Sequence, residues 1–526
     1  MRRLRAGAAA LLLALAAAAC SEGGTAVAPE RTVPERTVPE RTVPEQTVPG
    51  QTVPEQQTAG PDAQEPAAQQ PAAPKPDAPS PAPPPPERTT YEIRLTFRPE
   101  TRALTGVTVV VARNDADAAT NELRLSAYLN AFRADRIAER DPVLPEHRKR
   151  AYPPDFAEGG LDVRGAAVDG TPVPVEVRGE SIVVSLPEPW APGEWRRLEL
   201  EWDATLPRVH HRFGMSEDAY WFGNALPTLF VFDGEWRDYA YEAVGDPFYA
   251  AVADYRVRIT APDGYAVVAT GDEAEPVPAD EAGFATTAVE APRARDFAFA
   301  LSRSHEAVAA EAESGLRVNV HYRHASKARA EAAAAAAAGM ADFLERTVGE
   351  LGTREADIFE NEMFVTGMEY PGFVLVRADR LNAAAGLETV VHEIAHQWFY
   401  GAVGNDQVAE PWLDEAFATF LTDAYRLGGK LDATYAERLR AVRADAALGD
   451  VRSYDSWSAY WNGNYRLGAL MLHALRGELG EDGFARFLRD YYARFRDGVA
   501  TTEGFVETAE EAYGGSLDAF FARWLP

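Results

Sequence analysis

At 526 residues with 46% hydrophobic content, the chain can bury two or more cores once roughly its first tenth is set aside as unstructured. Acidic residues outnumber basic ones 81 to 52, and the resulting charge of −29 repels nucleic-acid phosphates and anionic headgroups, which argues against nucleic acid as a partner. Cys20 is the only cysteine, so the folded part has no disulfide and no thiolate, and a metal shell there must be built from histidine and carboxylate.

In chain order, Arg2, Arg3 and Arg5 precede an Ala/Leu run from Ala6 to Ala19 that has the charge and length of a secretory signal and is short for a membrane span. The run ends at Ala17-Ala18-Ala19-Cys20, which resembles a bacterial lipobox with Ala17 where leucine is commoner. The expectation is a signal peptide over 1–19, cleavage before Cys20, and lipidation of its thiol, leaving the protein exported and anchored to the outer face of a bacterial membrane. Glu30-Arg31-Thr32-Val33-Pro34 then recurs and decays through Pro54, and residues 56–87 are rich in Pro, Ala and Gln. Residues 20–88 read as an extended tether, too polar to bury a core.

From Thr89 the pattern alternates: Tyr91 to Phe97, Val107 to Val111, Ile182 to Leu186 and Tyr255 to Ile259 read as strands, so 89–305 is expected to be β-rich. Over 306–526 the expected elements are a strand at Val318 to Tyr322, a helix from Ala328 to Leu351, and a strand pair around Phe364 to Met368 and Phe373 to Val376. Helices are expected at Asn464 to Leu479, Glu481 to Phe495, Thr501 to Tyr513 and Leu517 to Trp524, with His473 on an apolar face as a core residue.

The chemistry concentrates in His392-Glu393-Ile394-Ala395-His396. On a helix, a four-residue step at ~100° per residue brings both imidazoles to one face about 6 Å apart in height, where they can share a metal ion. Glu393 lies beside them, placed to take a proton from an attacking water. Two histidines leave zinc short of a ligand, and catalytic sites of this type complete a His₂Glu set. After 18 intervening residues, Pro411-Trp412-Leu413-Asp414-Glu415 reads as the start of a second helix, with Glu415 as the third ligand. A His-Glu-x-x-His string arises by chance in roughly one in a hundred such chains, and a structural pair of buried histidines is the other bland explanation. An unpaired carboxylate in so aromatic a helix would be costly, which weighs against both.

These residues, with Trp412 to Phe417, resemble the gluzincin metallopeptidases of the aminopeptidase N family, which carry the same motif, the same 18-residue interval and the same Glu. Thr366-Gly367-Met368-Glu369-Tyr370 resembles the family's Gly-x-Met-Glu-Asn exopeptidase strand, with its first and last positions changed. The resemblance implies a substrate-binding role for Gly367, Met368 and Glu369, with Glu369 on the substrate's free amino terminus. Tyr465-Arg466-Leu467-Gly468 is similar to the Tyr-x-Lys-Gly segment, which implies that Tyr465 stabilises the oxyanion, although Tyr460 is a nearby competitor. The implied fold is a β-rich, saddle-like amino-terminal domain followed by an α+β, thermolysin-like zinc peptidase domain ending in a helical part. The implied function is removal of amino-terminal residues from peptides with one zinc per chain. Glu393 is then the general base, His392, His396 and Glu415 the metal ligands, and peptides the expected partners. No Gln or Glu of the amino-terminal domain aligns with the family's amine holder, and Asn224 is the nearest substitute. A zinc endopeptidase or oligopeptidase with an open cleft, and a non-catalytic lipid-anchored binding protein, stay open as alternatives.

Overall fold

The structure is a computed structural model, and it describes residues 86–442 and 446–525. The signal sequence, Cys20 and nearly all of the tether lie outside the described residues. Among the described residues four sheets form. The largest, of nine strands, is centred on Thr90–Arg98, which pairs in parallel with Ala253–Pro262 and antiparallel with Ala103–Arg113. Alternation in Tyr91-Glu92-Ile93-Arg94-Leu95-Thr96-Phe97 turns Tyr91, Ile93, Leu95 and Phe97 into the core and leaves Glu92 and Arg94 in solvent. The parallel register sets Tyr91 opposite Tyr255, with their rings stacked at 4.6 Å. A three-stranded and a four-stranded sheet complete this β-rich half, whose last strand is Phe299–Ser302.

The fifth-strand pattern changes at Glu306–Glu311, where a mixed five-stranded sheet begins, in the order Glu306–Glu311, Arg317–Tyr322, Glu355–Asn361, Phe373–Arg377, Gly367–Met368. The helix Lys327–Thr347 covers it, its alanines allowing close approach: Ala330, Ala333, Ala334, Ala337 and Ala341 are all buried. This helix ends four residues before the expected Leu351, and Gly349 then takes φ 151°. The strand Glu355–Asn361 has no apolar alternation to announce it, because two of its buried residues are acids satisfied by neighbours. Asp357 accepts from His321 Nε2 at 2.7 Å, and Glu360 accepts from the backbone amides of Arg323, His324 and Ala325.

Beyond the sheet the chain is helical. The two helices expected around Gly480 do break there, at φ 69°, ψ 170°, within Gly468–Phe495. Thr501 caps Thr502–Tyr513 by accepting from Gly504 N at 3.1 Å. The last expected helix is shorter, Asp518–Phe521. His473 is half-buried with its Nε2 3.0 Å from Asp432 Oδ1, so it is a hydrogen-bonded residue at the core's edge and not a core one. The cores interlock: Phe364, Met368, Tyr370 and Phe373 belong to the same apolar cluster as the β-rich half. The site therefore sits on a joint that is packed from both sides.

Candidate metal and peptide site

The helix Leu387–Ala395 forms because Leu387, Val390, Val391 and Ile394 recur at 3-4 spacing and meet the second core. Its other face presents Glu388, Thr389, His392 and Glu393, with His396 at the helix end, to a cavity of about 850 Å³. The second helix, Trp412–Leu427, starts after Pro411 and carries Asp414 and Glu415 in its first turn, where the helix dipole favours negative charge. Phe417 on this helix stacks on Phe399 at 4.2 Å, and the contact fixes the second helix against the segment leaving the first. The connection between them is held by buried Arg295 of the β-rich half, which donates to the carbonyls of Tyr400, Ala250 and Gly498 at 2.7–2.9 Å. Gly404 lacks a Cβ where one would overlap that guanidinium.

Three donor atoms converge. His392 Nε2 and His396 Nε2 are 3.1 Å apart, and each is 3.3 Å from Glu415 Oε2. Tetrahedral zinc with ligands at ~2.0–2.1 Å has ligand–ligand edges of ~3.4 Å, so the triangle has the size of one face of such a site. The protonation pattern agrees. His396 Nδ1 lies 3.0 Å from Phe399 O, a pure acceptor, so Nδ1 carries the proton and Nε2 presents a lone pair. Glu415 Oε2 is buried and makes no hydrogen bond, which suits a metal ligand and is costly otherwise. His392, His396 and Glu415 thus fit zinc.

The electrostatics point the same way. Burial alone would raise the pKa of Glu415, but the two imidazoles outweigh it and bring it down to about 2. Burial opposes charge on His396, yet Glu369 and Glu415 raise its pKa well above the usual value, so positive charge is favoured at Nε2, where a metal ion would compete with a proton. Burial raises both Glu369 and Glu393, with the nearby carboxylates adding to the effect. Asp414 rises to about 7 from burial and from Glu415. This end of the cavity gathers more buried carboxylates than imidazoles, a setting that favours cations.

Glu393 and Glu369 both come within 4.8 Å of His396, donor atom to donor atom. Glu393 can lie against the edge strand because residue 367 is glycine: a Cβ there would overlap the carboxylate. Strand alternation then decides the next two positions. Glu369 faces the cavity, whereas Met368 is 1% exposed, lies in the core and does not line the cavity, so a substrate-binding part for its side chain is not supported. Tyr370 also turns inward, to the β-rich half, where its hydroxyl donates to Asn224 Oδ1 at 2.7 Å. Asn224 is committed to this bond and does not line the cavity, so it is not the amine holder.

Tyr465 lines the cavity, its ring parallel to that of His392 at 5.7 Å, and its hydroxyl donates to Glu415 Oε1. Tyr460 is 1% exposed, faces Val244, Val408 and Val451, and lies outside the cavity lining. Of the two tyrosines, Tyr465 is the one that lines the cavity. Asp414 Oδ1 accepts from Glu415 N at 2.8 Å. Two residues were not legible from the sequence. Gln407 Nε2 donates to Glu369 Oε1 at 2.9 Å and to Asp414 Oδ2 at 2.8 Å, one hydrogen for each carboxylate. Asp246 of the β-rich half reaches the cavity, its Oδ1 accepting from Arg212 Nε and Nη2 at 3.0 and 2.6 Å. No local motif marks either of them.

Residues 358–524 match the Peptidase family M1 domain. The chain is similar to "Probable aminopeptidase 1" of Sulfurisphaera tokodaii, 28% identical over 151 residues that make up 26% of this chain and 19% of the relative. It is also similar to "Aminopeptidase N" of Streptomyces lividans, 27% identical over 191 residues that make up 32% of this chain and 22% of the relative. The matched stretch thus spans about a fifth of these relatives. Among solved structures, an M1 zinc metallopeptidase from Deinococcus radiodurans superposes with a TM-score of 0.60 at 19% identity, covering 81% of this chain and 92% of that one. A mutant of that protein was solved with a Tyr-Ser-Ala substrate, and its TM-score is 0.61 at 19% identity, covering 84% and 94%. Residues 358–524 thus resemble an M1 peptidase domain, and the fold of the described residues is similar to that of solved M1 zinc metallopeptidases.

Proposed function

We propose that the chain is a zinc-dependent peptidase that removes amino-terminal residues from peptides. The observation that carries this reading is the cavity in which the His392, His396 and Glu415 donors converge beside Glu393 and Glu369. Zinc, when bound, supplies a Lewis acid that polarises the scissile carbonyl and acidifies the attacking water. Glu393, its carboxyl pKa raised by burial, takes the proton from the attacking water and returns it to the leaving amine. Tyr465 orients Glu415 through Oε1 and, by turning its hydroxyl to the cavity, donates to the developing oxyanion. Glu369, oriented by Gln407, accepts from the substrate's α-ammonium, with the Asp246 carboxylate close enough to add to the field there. Relatives whose names specify aminopeptidase activity support the exopeptidase reading.

The test is kcat/KM for one peptide with free and acetylated amino termini, in wild type and Glu369→Ala. A charge-assisted bond of this kind is worth roughly 1.5–3 kcal/mol, so acetylation should cost about 10- to 150-fold in wild type and little in the variant. No cost in wild type, or an equal cost in both proteins, would remove Glu369 from the role and favour an endopeptidase.

We also propose that the enzyme acts outside the cytoplasm on a lipid anchor at Cys20. The support is the basic and apolar run before Ala17-Ala18-Ala19-Cys20. Wild type should partition with membranes and Cys20→Ser should be released or retain its signal; a soluble wild type with an unmodified amino terminus would refute the anchor alone.

A further inference from the structure

The cavity gathers carboxylates around the metal donors, but its wall also carries arginines, and their pairing is uneven. Glu388 pairs with Arg426 at 2.7 Å, Asp423 with Arg438, and Asp379 with Arg377 at 2.6 Å. Two cavity arginines, Arg380 and Arg466, have no carboxylate partner among the described residues. Arg380 Nε is buried and makes no hydrogen bond. Arg466 has only Asn462 Oδ1 at 3.2 Å from Nη1 and the Trp461 ring at 5.2 Å from its guanidinium carbon. A guanidinium offers five donors in a fork that fits a carboxylate, and leaving it without an anion beside buried surface is unfavourable.

Position selects the anion. Gly386 lies against the backbone of Arg380, and six residues of helical path, about 9 Å along the axis, separate Gly386 from His392. Arg466 directly follows Tyr465, whose ring stacks on His392. An extended peptide advances ~3.3–3.6 Å per residue, so a carboxylate two or three residues beyond the scissile carbonyl arrives at this wall. We propose that Arg380 and Arg466 bind the free carboxy terminus of a short peptide, which makes tri- and tetrapeptides with both termini free the preferred substrates. This rests on the aminopeptidase reading above: Glu369 holds one end of the substrate and the two arginines hold the other, so that the cavity measures length.

The experiment compares kcat/KM for trialanine as the free acid, trialanine amide, and alanine p-nitroanilide, which has no carboxylate. In wild type, amidation should cost ~10- to 100-fold, mostly through KM. In Arg380→Gln and Arg466→Gln the acid-to-amide ratio should fall, and in the double variant it should approach one, a readout internal to each protein and independent of how much active enzyme is recovered. Equal turnover of acid and amide by wild type overturns the proposal, as does an unchanged ratio in the double variant. Turnover of the anilide without acid–amide discrimination sinks the carboxylate anchor and leaves the aminopeptidase reading standing. No turnover of all three substrates overturns both.

Discussion

The two helices bearing the metal donors and the edge strand bearing Glu369 are equally buried but held by different physics. The helices are fixed by apolar faces: Val390, Val391 and Ile394 on one, Ala416, Phe417 and Phe420 on the other, all in one core. The strand Gly367–Met368 is two residues long, and although Met368 enters the core, polar side chains fix the turn that carries Glu369. Gln397 accepts from Gly372 N at 2.7 Å and donates to Tyr370 O at 3.2 Å, Gln407 holds the Glu369 carboxylate, and Tyr370 is tied to Asn224. Apolar packing tolerates changes that keep volume and pattern, whereas a polar network loses function when one member goes. The metal donors should therefore be the robust part of the site, and the strand the part that variation can retune.

Substitutions on either side of this contrast should separate metal binding from catalysis. The largest effect is expected from Glu393→Gln, which removes the base and leaves all three donors: turnover should fall at least ~10³-fold while zinc content is unchanged. A matching loss of zinc would mean that Glu393 belongs to the metal shell. Gly367→Ala comes next. Its new Cβ overlaps the Glu393 carboxylate from the strand side, and a displacement of about 1 Å at a reacting group costs on the order of 10²-fold in kcat. Zinc affinity should hold, because no donor touches residue 367; wild-type kcat in this variant would show that the strand does not set the position of Glu393.

The same contrast explains what the sequence disclosed. His392, Glu393, His396 and Glu415 were legible because helical spacing is local and the two helices announce themselves by apolar periodicity and Pro411. Glu369 is legible through the strand's resemblance to a family segment, whereas strand alternation turns its neighbour Met368 into the core and away from the substrate. The amine holder sought in the β-rich half was assigned to Asn224, whereas the carboxylate that reaches the cavity is Asp246, 122 residues before Met368 in sequence and brought there by tertiary structure alone. Gln407 was missed for a related reason. A glutamine in a connecting loop carries no signal until the two carboxylates it bridges are seen together. The strand Glu355–Asn361 was hidden by its buried acids, Asp357 and Glu360, whose partners lie some 35 residues away.

The central claim is that His392, His396 and Glu415 hold one zinc on which peptide hydrolysis depends, and metal content measured alongside turnover tests it most directly. Purified protein should contain one zinc per chain; a chelator should remove the zinc and the peptidase activity together, and added zinc should restore both. Protein that takes up no zinc and hydrolyses peptides undiminished in chelator would contradict the account.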